Sequence, residues 1–227
     1  MEVNGEFNIK DFQNINKNSD FVCMFSGGKD SGLALSIAMR QAKLHALIHI
    51  VEDDCSLYHN QNTNVIGTQA TLMGVPVYYM NYKWWRNWEE AYDFLSKFKN
   101  EGVGYVVFGD IKTKYILKGD IPLCIGAGLM PYVPIGGVSY EDLIKKISEY
   151  NIESVMTKIN TDKIDSSWLG KVYDKNAYLY FKSIGIDPFG ELDEFHTTLV
   201  NGSCFSKRID YSIEKLDDKF AKINLII

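Results

Sequence analysis

The sequence has no pair of cysteines at metal-site spacing. Its four cysteines, Cys23, Cys55, Cys124 and Cys204, are far apart, without a CxxC or a Cys/His cluster. That excludes a zinc site of the usual kind and fits a reducing, cytoplasmic setting. Cys23 and Cys124 sit in apolar runs and read as small core residues. No apolar run approaches a membrane span, so no membrane partner is expected. The opening, Met1-Glu2-Val3-Asn4-Gly5-Glu6, is acidic and polar, unlike a secretory signal. There is no internal repeat and no low-complexity linker. No long block of one charge sign occurs either. Net charge is −5, with lysines and carboxylates interspersed. This argues against a dominant nucleic-acid surface and leaves room only for a local basic patch.

What is present is enough for a sizeable core. With 227 residues, 46% hydrophobic and 23% charged, the chain suits one large domain or a domain plus an appendage. The stretch that organises it is Phe21 to Ser31. Phe21-Val22-Cys23-Met24-Phe25 reads as a buried strand. It runs into Ser26-Gly27-Gly28-Lys29-Asp30-Ser31, and a helical pattern follows from Gly32 to Met39. Strand, glycine turn and helix start form an anion site, because the first-turn N–H groups and the helix dipole both favour negative charge. Ser26 and Ser31 add hydroxyls and Lys29 adds a positive charge. Asp30 repels a phosphate unless Mg²⁺ lies between them or its carboxylate orients the loop. The stretch is neither GxxxxGK[ST] nor GxGxxG.

Further along, Leu44 to Val51 reads as a second strand, ending in Glu52-Asp53-Asp54-Cys55-Ser56 near the loop. A helix is expected over Asn64 to Leu72 and a strand over Val75 to Met80. An amphipathic helix follows, with Trp88, Tyr92, Leu95 and Phe98 on its inner face, and then a strand at Tyr105 to Phe108. This alternation predicts an α/β fold, a doubly wound parallel sheet. Beyond a soft boundary near residue 120 the character changes. Helices are expected at Glu141 to Tyr150 and Asn176 to Ser183, and a strand at Ser154 to Ile159. Glu191 to Val200 reads as extended. Asn201-Gly202 is a hairpin signal, and the C-terminus is either a last strand or a tail. The division is 1–120 for nucleotide binding and 121–227 for a smaller α+β acceptor domain.

Several residues stand out. Gly109-Asp110 ends a strand where ligands collect in parallel sheets, so Asp110 either serves the site or caps a turn. Glu191, Asp193, Glu194 and His196 form the densest polar cluster. Glu194 and His196 would share one face of an extended strand as an acid–base pair, or else lie on a solvated edge. Trp168 reads as core packing or a pocket wall. The run Tyr78, Tyr79, Tyr82, Trp84, Trp85 and Trp88 reads as a hydrophobic helix entry before a nucleobase platform. His59, a lone histidine, reads as structural.

SGGxDS after a strand resembles the PP-loop of the ATP pyrophosphatases, the adenine nucleotide α-hydrolase-like superfamily. With Gly109-Asp110-Ile111, Ser167-Trp168-Leu169-Gly170 and Gly190-Glu191-Leu192-Asp193-Glu194-Phe195-His196-Thr197, the chain resembles the diphthine–ammonia ligase family from about Phe21 to Phe205. The segments Ser56 to His59 and Gln69-Ala70 also fit that pattern. The resemblance implies a Rossmann-like PP-loop domain and an amidation in diphthamide biosynthesis. It implies ATP and Mg²⁺, with ammonia and a carboxylate acceptor as partners: the acid is adenylated, pyrophosphate leaves, and ammonia displaces AMP. Ser26, Gly27, Gly28, Lys29, Asp30, Ser31 and Gly109 would hold the nucleotide, Asp30 would hold Mg²⁺, and Asp110 would lie beside them. Glu191, Glu194 and His196 would line the acceptor or ammonia side. Two positions depart from the family pattern: Asp193 stands where a glycine is usual, and Pro134-Ile135-Gly136 lacks a tryptophan.

The acceptor would be diphthine on a translation elongation factor, or a small metabolite. Rival readings are a PP-loop enzyme acting on tRNA and a nucleotide-binding regulator without turnover. A homo-oligomer is compatible with all of them.

Overall fold

The computed structural model describes residues 7–51 and 62–226. The expectations for Glu52 to Ser56 and for His59 fall outside these residues. Five parallel strands make the main sheet: β1 (Asp20–Met24), β2 (Lys43–Val51), β3 (Val77–Asn81), β4 (Tyr105–Val107) and β5 (Met130–Tyr132). Their order is β3-β2-β1-β4-β5. The chain first adds strands on one side of β1, then returns to add β4 and β5 on the other. Such a reversal opens a crevice at the carboxyl ends of the two strands that flank it, here β1 and β4. The doubly wound α/β fold expected from the sequence is therefore the observed one, and its fifth strand comes from beyond residue 120.

The period-2 alternation of β1 divides the core between the two faces. Phe21 and Cys23 are buried with Leu33 and Leu35 of α1 (Lys29–Met39), and with Leu143 and Ile147 of α6 (Tyr140–Glu149). Val22 points the other way. It is buried with Leu95 and Phe98 of α4 (Trp88–Asn100) and with Leu123 of α5 (Asp120–Gly126). Helix α4 starts where Asn87 Oδ1 accepts the Glu89 N–H at 3.1 Å, a cap worth about 1 kcal/mol. Its buried stripe is Ala91, Leu95 and Phe98. Trp88 and Tyr92, expected on that face, flank it and stay partly exposed, bordering Gly126 of α5.

The remaining helices are α2 (Asn62–Met73), α3 (Tyr82–Arg86) and α7 (Lys175–Ser183). The later chain adds two antiparallel pairs, β6 (Glu153–Ile159) with β7 (Phe195–Asn201), and β8 (Asp210–Lys215) with β9 (Ala221–Ile226). Asn201-Gly202 does not turn a hairpin. The Ser203 N–H goes to Tyr150 O at 3.0 Å, so the chain leaves β7 there, and the hairpin forms later, between β8 and β9. The C-terminal segment is thus a strand. Met156, Phe181 and Leu199 belong to the same buried cluster as Phe21 and Leu35, so the second half packs into the core of the first. Trp168 joins that packing, stacked on Tyr180 with ring centroids 5.0 Å apart. Trp85 is buried, whereas Tyr78, Tyr79 and Tyr82 are partly exposed.

Candidate active site

The loop from Phe25 to Gly28 lies at the carboxyl end of β1 and delivers the chain into α1. Gly27 has φ of +81°, a left-handed conformation that favours glycine, and its α-carbon is closely covered by Ile66 and Gln69. Gly28 is the N-cap of α1 and offers no side-chain cap. Helix geometry leaves the N–H groups of Asp30 and Ser31 without intrahelical acceptors. The Lys29 N–H already donates to Thr197 Oγ1 at 3.1 Å. Ser26 Oγ and Ser31 Oγ are 3.0 Å apart, so the two hydroxyls work as a pair.

The second half of the chain closes one side of this loop. The Leu199 N–H donates to Gly27 O at 2.7 Å. Gln69, fully buried on α2, donates from Nε2 to Gly27 O at 3.2 Å and to Leu199 O at 2.8 Å. On the other side, Gly109 approaches the helix so closely that a Cβ there would sit 2.6 Å from Ser31 Cα. The loop is therefore held between the end of β4 and the strand β7.

Three of the candidate carboxylates lie within electrostatic reach of one another here. Burial raises the Asp30 pKa above the usual carboxylate value, against the attraction of Lys29. Asp110 is pushed up to about 7 by burial and by the negative charges of Asp120, Glu191 and Asp30. Glu191 is raised by burial and then by Asp30. Mutual repulsion in a desolvated place is the common cause. Asp30 Oδ1 is buried without a hydrogen-bond partner, which suits a missing positive group or donor. Among the described residues, no three His, Cys, Asp or Glu side chains are gathered closely enough to hold a metal ion alone. Magnesium does not need such a cage, because it commonly takes one or two carboxylates plus phosphate oxygens and water. The residues present fit that arrangement.

Lys29, expected to reach phosphate, is buried. Its Nζ donates to Asp30 Oδ2 and to Phe189 O, each at 2.7 Å. The rings of Tyr173, Phe189 and Phe195 surround it at 5.3, 5.3 and 5.4 Å.

Of the two readings for Glu194 and His196, an acid–base pair or a solvated edge, the pair does not form. Glu194 is 2% exposed, with Oε1 on Lys163 Nζ at 3.1 Å and Oε2 accepting the Leu192 N–H at 2.8 Å. His196 is half-exposed and pairs with Asp193, Nε2 to Oδ1 at 2.8 Å. The strand alternation assumed for this pair starts only at Phe195, because Asp193 turns the chain with φ of +60°. His196 nevertheless remains in the electrostatic neighbourhood of Asp30.

Sequence reasoning missed Asp187, Lys112 and Tyr140. Asp187 Oδ2 accepts from Lys112 Nζ at 3.0 Å and from Tyr140 OH at 2.8 Å. Although burial opposes it, these bonds hold the Asp187 carboxyl below its usual pKa. Tyr140 stacks on Phe189 at 4.8 Å. The only signal in the sequence was the placement of Asp187 in Asp187-Pro188-Phe189-Gly190.

A parallel sheet with a serine–glycine loop at its switch point defines an α/β protein of the PP-loop, Rossmann-like class. The particular family follows from matches along the chain. Residues 19–130 match the diphthamide synthase N-terminal domain and residues 139–224 match the diphthamide synthase C-terminal domain. The chain belongs to the diphthamide synthase family, the diphthine–ammonia ligase family indicated by its motifs. No curated protein matches it. A solved structure described as a predicted subunit of tRNA methyltransferase from Methanocaldococcus jannaschii is similar at 19% identity and a TM-score of 0.45, covering 84% of this chain and all of that one. Among the described residues, no helix is long and apolar enough to cross a membrane.

Proposed function

We propose that the protein is an AMP-forming amide ligase, which activates a carboxylate with ATP and amidates it with ammonia. The observation that carries this reading is that Asp30, Asp110 and Glu191 raise one another's pKa at the largely buried N-terminus of α1, beside the Ser26–Ser31 pair. A carboxylate oxygen is a poor leaving group. Transfer of AMP to it, with departure of pyrophosphate, makes the carbonyl open to attack by ammonia.

The loop hydroxyls and the N–H groups of Asp30 and Ser31 bind the phosphate oxygens and stabilise the charge that grows on pyrophosphate. Mg²⁺ would be held by Asp30 together with phosphate oxygens, and would neutralise charge between them. Asp110, with its raised pKa, can hold or release a proton near neutral pH, which suits a group that orients ammonia or takes up its surplus proton. Glu191 and His196 face the acceptor side, and Glu194 holds their turn in shape.

In this reading the acceptor is diphthine on a translation elongation factor, the substrate that belongs with the family's name, and a small carboxylate is the second choice. The test incubates the purified protein with Mg-ATP, ammonium and a panel of carboxylates that includes diphthine-bearing elongation factor. AMP and pyrophosphate are expected only when acceptor and ammonium are both present. ATP binding without AMP release on any acceptor would overturn the ligase reading in favour of a regulator.

A further inference from the structure

Lys29 is the one buried lysine among the described residues, at 3% exposure. An ammonium has three N–H donors. Two of them reach Asp30 Oδ2 and Phe189 O, and the charge lies among the faces of Tyr173, Phe189 and Phe195. Aromatic faces attract a cation electrostatically, and more strongly where water is excluded. Reaching a phosphate would require Nζ to leave this cage. The Asp30 carboxylate would then lose its counter-charge, and the Phe189 carbonyl would lose its donor. With 3% of the residue exposed, the remaining donor faces the interior of the protein and not open space.

The cage is also built from a different part of the chain than the loop. Tyr173 precedes α7, Phe189 and Phe195 bracket the Gly190 turn, and the Lys29 backbone N–H is held by Thr197. Tyr173 is itself fixed, its hydroxyl donating to Pro188 O at 2.7 Å. Lys29 thus ties the loop to the segment that carries Glu191.

We propose that Lys29 is a positioning residue, which fixes the Asp30 carboxylate and the Phe189–Glu191 turn so that Asp30, and not Lys29, meets the nucleotide. The role rests on the reading of the loop as a nucleotide site. It differs from that of a lysine acting on phosphate as a point charge, and a double-mutant cycle distinguishes the two.

The experiment measures binding of Mg²⁺ and α,β-methylene-ATP, by calorimetry, to the wild type, Lys29→Met, Asp30→Asn and the double variant. Thermal unfolding of the same four proteins is followed in parallel. Methionine keeps an unbranched apolar stem that packs against the rings and lacks only the terminal ammonium. Lys29→Met alone should weaken binding roughly tenfold, the size expected when a charge-assisted bond is lost. In the Asp30→Asn background the same change should cost less than about twofold, since no carboxylate is left to position. The melting temperature should show the same coupling: Lys29→Met lowers it sharply in the wild type and little in the Asp30→Asn background. An equal tenfold loss in both backgrounds would mean direct phosphate contact and would overturn the proposal. Additive melting shifts would overturn the pairing itself. A wild type that binds no analogue would overturn the nucleotide reading and this role with it, and the melting cycle tells that result apart from a failure of the pair.

Discussion

Gly109 and Ser31 touch backbone to backbone: a Cβ on Gly109 would lie 2.6 Å from Ser31 Cα and 2.8 Å from Ser31 N. Neither atom belongs to a flexible side chain, so the end of β4 can approach the first turn of α1 only through a glycine. Gly109→Ala should push the two apart, at a cost of about 1–3 kcal/mol in stability. If the loop binds nucleotide as proposed, the variant should also weaken that binding by at least roughly tenfold, because Ser31 belongs to the loop. Chemical denaturation and nucleotide titration of the variant test this. An unchanged denaturation midpoint would show that the strand end can yield.

Gln69 gives the loop its other wall. Its amide donates to the carbonyls of Gly27 and Leu199, joining the first half of the chain to β7. Gln69→Leu leaves both buried carbonyls short of a donor, an expected loss of about 1–3 kcal/mol. Gln69→Glu adds a pH signature. The carboxyl can donate only when protonated, so its folded pKa is raised, and the stabilisation present at low pH is lost as pH rises through that value. The variant should approach the wild type near pH 4 and fall well below it near pH 8 in urea titrations. A deficit independent of pH would contradict the proposed bonding.

The alternation of apolar runs and helical patterns made the parallel sheet legible, because strand and helix periodicities depend on near neighbours in sequence. The loop was legible for the same reason: Ser26 to Ser31 is one continuous segment. Asp30, Asp110 and Glu191 are legible too, since each follows a strand end or belongs to a dense polar cluster. The partners of these residues were not legible. Whether Lys29 turns towards a ligand or into a ring cage depends on Tyr173, Phe189 and Phe195, which only the tertiary fold brings near. Strand alternation alone would put Glu194 beside His196, but a turn at Asp193 and an ion pair with Lys163 take it elsewhere. The short strand β5 was hidden because it is brief and carries Pro131, a residue compatible with an edge strand.

Asp110 predicts a stability profile. Its folded pKa is about 7, raised from 3.8 by burial and by neighbouring carboxylates. Between these values the folded protein binds more protons than the unfolded chain, so stability falls as pH rises through that window. Asp110→Asn removes the charge that must be buried. Its melting temperature should match the wild type near pH 4 and exceed it by at least about 2 °C near pH 8. A gain of the same size at both ends would trace the effect to packing. The same substitution should slow turnover, since an amide cannot take up the proton assigned to this group.

Asp193 occupies a conformation that favours glycine, with φ of +60°, and glycine is the residue usual in the resembling motif. An aspartate tolerates that conformation better than most residues, yet still at a cost of roughly 1 kcal/mol. Here the side chain has work that a glycine could not do: Oδ1 accepts from Lys158 Nζ at 2.7 Å and sits 2.8 Å from His196 Nε2. The carboxylate favours the protonated imidazole and fixes the ring. Asp193→Gly should relieve the backbone and leave overall stability within about 1 kcal/mol of the wild type, because these pairs are mostly exposed. Burial holds the His196 pKa below its usual value and the Asp193 carboxylate opposes that, so the pKa, followed by NMR, should nevertheless fall further. Asp193→Asn keeps a side chain at this position without the charge and should give the same fall. If Asp193→Asn leaves His196 unchanged while Asp193→Gly shifts it, the ring is governed by the shape of the turn and not by the carboxylate.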